Sequence, residues 1–221
     1  MLSPQWFALA LKRAGVDFFT GVPDSLLKDF VAYIVDHAAK GHVAAVNEGS
    51  AVGLAVGYYL ATEKLACVYM QNSGMGNAVN PLLSLADPAV YGIPMILVIG
   101  WSGKPGTRDE PQHKKQGAIT LALLKTLGVS YAILPVSDAA AYHTRRNAML
   151  YAKKNKRPYV LVVAEGTFAV YSKKKQVKRN QNMLREEAMT LILSKLGKRD
   201  VVVSTTGKTS RELFELRKRR G

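Results

Sequence analysis

Seven short runs rich in Val, Ile and Leu recur along the chain, at residues 17–20, 43–45, 66–71, 95–99, 130–134, 159–164 and 200–204. Longer stretches with helical patterning separate or flank them, at 3–13, 25–39, 48–62, 76–86, 118–127, 138–155 and 182–196. A run such as Ala66-Cys67-Val68-Tyr69-Met70 is apolar at successive positions, so both of its faces must be covered. Strands of that kind alternating with helices predict an α/β fold: a mostly parallel six-stranded sheet with helices on both faces. Residues 1–170 form this domain in our reading. Residues 171–199 are a basic linker and one helix, and 200–221 are the start of a second α/β domain. Roughly 20 residues cannot bury a core alone, so that terminus reads as a truncation or a split point. Ligands on such sheets bind outside the carboxyl ends of the strands, and chemistry is expected at that edge.

The chain has 221 residues, 48% of them hydrophobic, enough for a core of this size. Its single cysteine, Cys67, cannot form an internal disulfide, which makes a reducing cytoplasm the simplest setting. No apolar run reaches the roughly eighteen residues of a membrane span, and the N-terminus has no secretory pattern. The net charge of +15 is unevenly spread. Residues 1–112 carry 7 Lys+Arg against 9 Asp+Glu, whereas 113–221 carry 24 against 7. The basic residues fall in scattered clusters such as Lys173-Lys174-Lys175 and Arg217-Lys218-Arg219-Arg220, without the interleaved aromatics of a base-stacking platform. Nucleic acid is therefore a disfavoured partner. Solvated helix faces and a linker account for the charge, and attraction of a small anionic substrate is the weaker alternative.

Four strand-to-helix loops are rich in glycine and polar residues: Thr20-Gly21-Val22-Pro23-Asp24-Ser25, Val46-Asn47-Glu48-Gly49-Ser50, Gln71-Asn72-Ser73-Gly74-Met75-Gly76-Asn77 and Gly100-Trp101-Ser102-Gly103-Lys104-Pro105-Gly106. Singly each is weak, because tight turns require glycine for backbone reasons alone. Gly74-Met75-Gly76 lacks the third glycine of a dinucleotide fingerprint and the lysine of a P-loop, so nucleotide binding is not supported. Asp24 or Ser25 can cap the following helix.

Taken together and in order, Gly21-Val22-Pro23-Asp24-Ser25, the run from Asn47 to Gly53, the run from Gln71 to Leu82, and Asp109-Glu110-Pro111-Gln112-His113 resemble the phosphonopyruvate and sulfopyruvate decarboxylase family. The resemblance runs nearly end to end. It implies that residues 1–170 are a thiamine-diphosphate pyrimidine-binding domain, and that Ser204 to Arg211 open a diphosphate-binding domain. The implied activity is decarboxylation of a 2-oxoacid, phosphonopyruvate to phosphonoacetaldehyde and CO2. In such chemistry thiamine diphosphate attacks the 2-oxo carbonyl with its deprotonated thiazolium carbon, and a carboxyl hydrogen-bonded to the pyrimidine ring promotes that deprotonation. By resemblance Glu48 is that carboxyl. Its place between an apolar strand and a small-residue helix start agrees with burial and a raised pKa. Standing alone, it would read as an acidic residue stabilising a helix N-terminus. The resemblance further implies Pro23, Asn72, Ser73, Gly74 and Asn77 as cofactor-binding residues, and Asp24, Ser25, Arg108, Gln112 and His113 on the substrate side. His113, in a polar loop after a strand, is a second catalytic candidate because imidazole titrates in the useful range. His37, His42 and His143 fall on helices or helix ends and carry no functional expectation.

Two departures stand out. The family has arginine in a Trp-Arg-Gly turn where this chain has Ser102; serine cannot hold an anion bidentately, Arg108 and Lys104 are the candidates to compensate, and the identity of the substrate stays open at this point. The family also holds the diphosphate and Mg2+ with a Gly-Asp-Gly…Asn motif in its second domain, and residues 1–221 contain no such motif. Mg2+ ligands are thus expected on another domain, in a homo- or hetero-oligomer, and none here. Two alternatives stay open: an alpha-type subunit of sulfopyruvate decarboxylase, and a catalytically inactive pairing domain.

Overall fold

A computed structural model describes residues 1–38, 40–172, 183–197, 199–204 and 207–220. They fall into two units, Met1–Lys174 and Lys175–Gly221. The first alternates helix and strand: α1 (Pro4–Arg13), β1 (Val16–Gly21), α2 (Lys28–His37), β2 (His42–Ala44), α3 (Glu48–Thr62), β3 (Leu65–Gln71), α4 (Met75–Pro81), β4 (Met95–Gly100), α5 (Pro111–Thr126), β5 (Ser130–Ile133), α6 (Asp138–Asn155) and β6 (Tyr159–Val163). All six strands are parallel, in the order β2-β1-β3-β4-β6-β5. The expected α/β sheet is present, strand for strand.

Side-chain alternation explains why the central strands carry no polar face. Cys67 and Tyr69 of β3, with Ile96 and Val98 of β4, enter one core, closed by Phe7, Leu11, Phe30, Ile34, Ala148 and Met149 from α1, α2 and α6. Ala66, Val68 and Met70, with Met95, Leu97 and Ile99, enter the other, closed by Val52, Val56, Ala78 and Leu124 from α3, α4 and α5. Full burial of one such side chain stabilises the fold by about 2–3 kcal/mol relative to exposure. Burial also pushes the Cys67 thiol pKa up, so this cysteine behaves as a small core hydrophobe. From β1 the chain moves to β2 on one side, then crosses to β3 on the other. The carboxyl ends of β1 and β3 therefore flank a switch point, where open α/β sheets leave a crevice.

Several expectations are corrected. The segment expected as one helix over 76–86 is a 3-10 turn (Asn72–Gly74), then α4, then a π-type turn (Leu82–Ala86). Pro81 lacks an N–H and crowds the carbonyl four residues before it, so the ladder cannot continue unchanged. The helix expected at 118–127 starts at Pro111, where a proline costs nothing in the first turn; His113 therefore sits on a helix and not in a loop. His42 lies in β2, not at a helix end, and its Nε2 meets the Tyr69 hydroxyl at 2.7 Å.

In the second unit, α7 (Arg185–Lys195) and α8 (Lys208–Arg220) are joined by an ion pair between Arg185 and Glu212. The strand expected at 200–204 does not form. Val201 and Val203 are 86% and 90% exposed, and no neighbouring strand among the described residues takes up their backbone groups. The basic linker expected at 171–199 lies partly in residues 173–182, outside the described residues.

Core packing gives a direct check. Leu97→Ala should cost about 2–5 kcal/mol in tryptophan-monitored urea unfolding, whereas Leu60→Ala, on the exposed face of α3, should stay within about 0.5 kcal/mol.

Candidate functional site

The four motif loops leave the carboxyl ends of β1, β2, β3 and β4, so the sheet gathers at one edge what the sequence spreads over ninety residues. Asn47 caps α3, its side chain accepting from the Ser50 N–H at 2.8 Å, and this sets Glu48 in the first helical turn. The Glu48 carboxylate then passes directly over Gly74. A Cβ on Gly74 would stand 2.2 Å from Glu48 Oε1, so only glycine fits. Asn77 Nδ2 donates to Oε2 at 2.8 Å, and a Cβ on Gly49 would stand 2.7 Å from the Asn77 carbonyl. Glu48, Gly74 and Asn77 are thus brought together as a unit. Glu48 is half-buried and not enclosed, contrary to the sequence expectation of burial.

Asn72 does something different from what its motif suggests. It is buried, and its Nδ2 donates to the Ser102 carbonyl at 2.9 Å and to Thr120 Oγ1 at 2.8 Å. Its Oδ1 accepts from the Ser102 N–H at 3.2 Å, and its carbonyl accepts from Gln116 Nε2 at 3.1 Å. This side chain knots the ends of β3 and β4 to α5 and has little left for a ligand. Beside it, Gln71 donates to Ser102 Oγ at 3.0 Å and accepts from the exposed Ser73 hydroxyl at 2.6 Å. Ser102, where the family's arginine would stand, is buried in this network.

Asp24 is buried against β4, and a Cβ on Gly100 would stand 2.0 Å from its Oδ2. Oδ2 accepts from the Leu26 N–H at 3.2 Å, whereas Oδ1 is buried without a partner. Desolvation raises the Asp24 pKa, and the backbone N–H groups of Leu26, Ser25 and Leu27 offset part of that rise. Loss of water around this carboxyl makes its charge costlier than on an exposed aspartate.

His113 Nδ1 meets Asp109 Oδ1 at 2.7 Å. Nothing in the sequence reading assigned Asp109, although its spacing of four residues from His113 was a usable signal. Thr120 and Gln116 were also missed, because a polar residue on a helix face gives no sign of what it will meet. Pro23, Ser25, Arg108 and Gln112 are exposed, and among the described residues no hydrogen bond ties them to Glu48 or His113. Lys104 lies over the Trp101 ring at 5.6 Å. Two open hollows elsewhere, one lined by Lys12, Asp17 and His37 and one by Ser130, Tyr131 and Tyr159, border the amino ends of strands, away from these loops.

The residues present fit the aminopyrimidine end of thiamine diphosphate, since a carboxyl fixed through one oxygen, the other without a hydrogen bond among the described residues, stands over the Gly74 backbone. Among the described residues no group of three or more His, Cys, Asp or Glu stands together. The fold is an α/β domain whose polar loops gather at the carboxyl edge of a parallel sheet. Residues 3–123 match the profile of the thiamine pyrophosphate enzyme N-terminal TPP binding domain, and the chain belongs to that family. A phosphonopyruvate decarboxylase of Streptomyces hygroscopicus is 31% identical over 98% of this chain and 57% of its own length. Sulfopyruvate decarboxylase subunit alpha of Methanococcus maripaludis is 34% identical over 63% of this chain and 80% of its own length. The chain thus spans little more than half of the phosphonopyruvate decarboxylase it matches. Benzoylformate decarboxylase from Polynucleobacter necessarius shares the fold, with a TM-score of 0.60 at 18% identity over 88% of this chain and 36% of that one.

The raised Asp24 pKa has a stability consequence. Between the ordinary carboxylate range and its raised folded value, the native state binds more protons than the unfolded chain, so this group's contribution falls as pH rises. Asp24→Asn should therefore gain on the wild type as pH rises above about 4 in parallel urea unfolding curves. A pH-independent difference would refute the assignment.

Proposed function

We propose that this chain supplies the pyrimidine-activating half of a thiamine-diphosphate-dependent 2-oxoacid decarboxylase acting on phosphonopyruvate. The observation that carries the reading is the Glu48 carboxyl, held by Asn77 over the bare Gly74 backbone with Oε1 uncommitted. When bound, the cofactor supplies the electron sink for loss of CO2. Glu48 holds the pyrimidine nitrogen by a hydrogen bond and biases where its proton resides. Gly74 and Ser73, with Pro23 and Asn77, line the ring. Asn72 contributes through the loop that it ties down. Asp24, with Ser25, Arg108 and Gln112, faces the anionic substrate, and His113 moves a proton at the reacting carbon. Similarity to a phosphonopyruvate decarboxylase over nearly the whole chain favours the phosphonate. The buried serine at 102 leaves the sulfonate as the second reading, and assay of both substrates separates them. Mg2+ and the diphosphate are held by groups that a complementing chain or domain supplies.

That partner also has a place to dock. Gly53 and Gly57 of α3 and Gly76 of α4 have open space where a Cβ would be, and Leu54, Leu60 and Leu83 are exposed beside them. Covering this face would complete the burial of Glu48. Sedimentation should show a dimer or larger, reduced by Leu54→Asp; a clean monomer at micromolar concentration with a complementing chain present would count against the docking face.

Given thiamine diphosphate and Mg2+, the chain alone should show no turnover, and a chain carrying the diphosphate-binding domain should restore it. In the complemented enzyme Glu48→Gln keeps a hydrogen-bonding side chain but loses the transferable proton. Turnover should fall about a thousandfold or more, on the order of 4 kcal/mol in barrier, while Glu48→Asp is milder. Full activity of the Glu48→Gln complex would remove Glu48 from the reaction.

A further inference from the structure

The turn between β4 and α5 is folded back on the start of α5 more tightly than a surface loop requires. Gly103 has φ +68°, and a Cβ there would stand 2.0 Å from the His113 carbonyl. A Cβ on Gly117, one turn further along α5, would stand 1.8 Å from the Gly103 carbonyl. Trp101 Nε1 donates to the Gly117 carbonyl at 2.8 Å, closing the same contact from the buried side. Inside this bracket sits the Asp109 carboxylate. Its Oδ2 accepts from the Gly103 N–H at 2.6 Å, and its Oδ1 accepts from the Glu110 N–H at 2.7 Å and meets His113 Nδ1 at 2.7 Å.

We propose that Asp109 is a positioning residue that fixes the tautomer and aim of His113, leaving Nε2 as the nitrogen that exchanges protons with the substrate. An ionised carboxylate only accepts hydrogen bonds, so the bond at Nδ1 requires the proton to be on Nδ1. The hydrogen bond from His113, the largest cause, holds the Asp109 carboxyl below the usual carboxylate range; burial opposes it, and the N–H groups of Glu110 and Gly103 add to the lowering. The two backbone donors stop the carboxylate from turning, so the imidazole plane is fixed relative to the end of β4. Neutral His113 then presents the Nε2 lone pair, and its protonated form presents Nε2–H with the positive charge beside Asp109. Decarboxylation of a 2-oxoacid to an aldehyde replaces one carboxylate by one proton. That proton leaves Nε2–H for the carbon that has lost CO2, the imidazole remains neutral with Nδ1–H, and water returns a proton to Nε2. The catalytic half of this inference rests on the decarboxylase reading; the tautomer does not.

The test therefore has two arms. In long-range 15N–1H spectra of the full chain labelled at histidine, with His113 assigned through His113→Gln, the neutral ring should be the Nδ1–H tautomer. Asp109→Asn keeps an oxygen for the Gly103 N–H but can turn its amide N–H to Nδ1. It should shift His113 toward Nε2–H, and Asp109→Glu should restore the wild-type pattern. In the complemented enzyme, Asp109→Asn should lower kcat about a hundredfold or more with little change in thiamine diphosphate affinity, and Asp109→Glu should recover part of it. A wild-type Nε2–H ring, or a tautomer indifferent to Asp109→Asn, would overturn the positioning role. The expected tautomers with undiminished turnover in His113→Gln would refute the catalytic consequence. A wild-type complex that turns over neither substrate would refute the decarboxylase reading and leave the tautomer result standing.

Discussion

Burial of β3 and β4 on both faces is the constraint from which the rest of the first unit follows. A strand whose every side chain is in a core must have helices above and below it, and connections of that kind return the chain in the same direction. Six parallel strands then expose six carboxyl ends along one edge. The loops carrying Asp24, Glu48, Asn72 and Asp109 meet because of this direction, although they are far apart in sequence. The amino edge receives the ordinary connections, and its hollows are lined by unrelated side chains.

Precision at that edge comes from backbone approach. Gly74 lets Glu48 pass, Gly100 seats Asp24, and the Gly103–Gly117 contact brings the β4 loop against α5. Each removes a Cβ from a place where another group must lie, and a methyl there would force either backbone or a functional carboxylate to move. Asn72 completes the set by using all of its side-chain hydrogen-bonding groups on neighbouring elements, a rigid support for the loop that carries Ser73 and Gly74.

Two carboxylates within this edge are driven in opposite directions by their surroundings. Asp24 loses water without gaining a full set of donors, which favours its neutral form. Asp109 keeps partial exposure and gains an imidazole and two backbone N–H groups, which favour its charge. The first carboxyl is the costlier one to keep charged, and the second accepts a hydrogen bond from an imidazole N–H. The same residue type thus serves two purposes, and the difference lies in the donors the fold brings within reach.

The alternation of apolar runs and helical patterns determined the α/β class and all six strands of the sheet, because double-sided burial leaves its mark at every position of a strand. The polar, glycine-rich loops at the carboxyl ends of the strands were also legible, since their composition departs from that of ordinary turns. What the sequence could not carry were relations between segments. Helix α5 begins at Pro111, not near residue 118, because the bracket at Gly103 and Gly117 supports its first turns. Asn72 reads as a ligand in its motif, yet Ser102 and Thr120, thirty and forty-eight residues away, consume its side chain. Val201 to Ser204 have the composition of a strand but stay unpaired, for a strand exists only where a neighbour takes its hydrogen bonds. Glu48 is half-open for the same kind of reason. Residue type decides which interactions a side chain can make; only the tertiary arrangement supplies the partner that makes one of them.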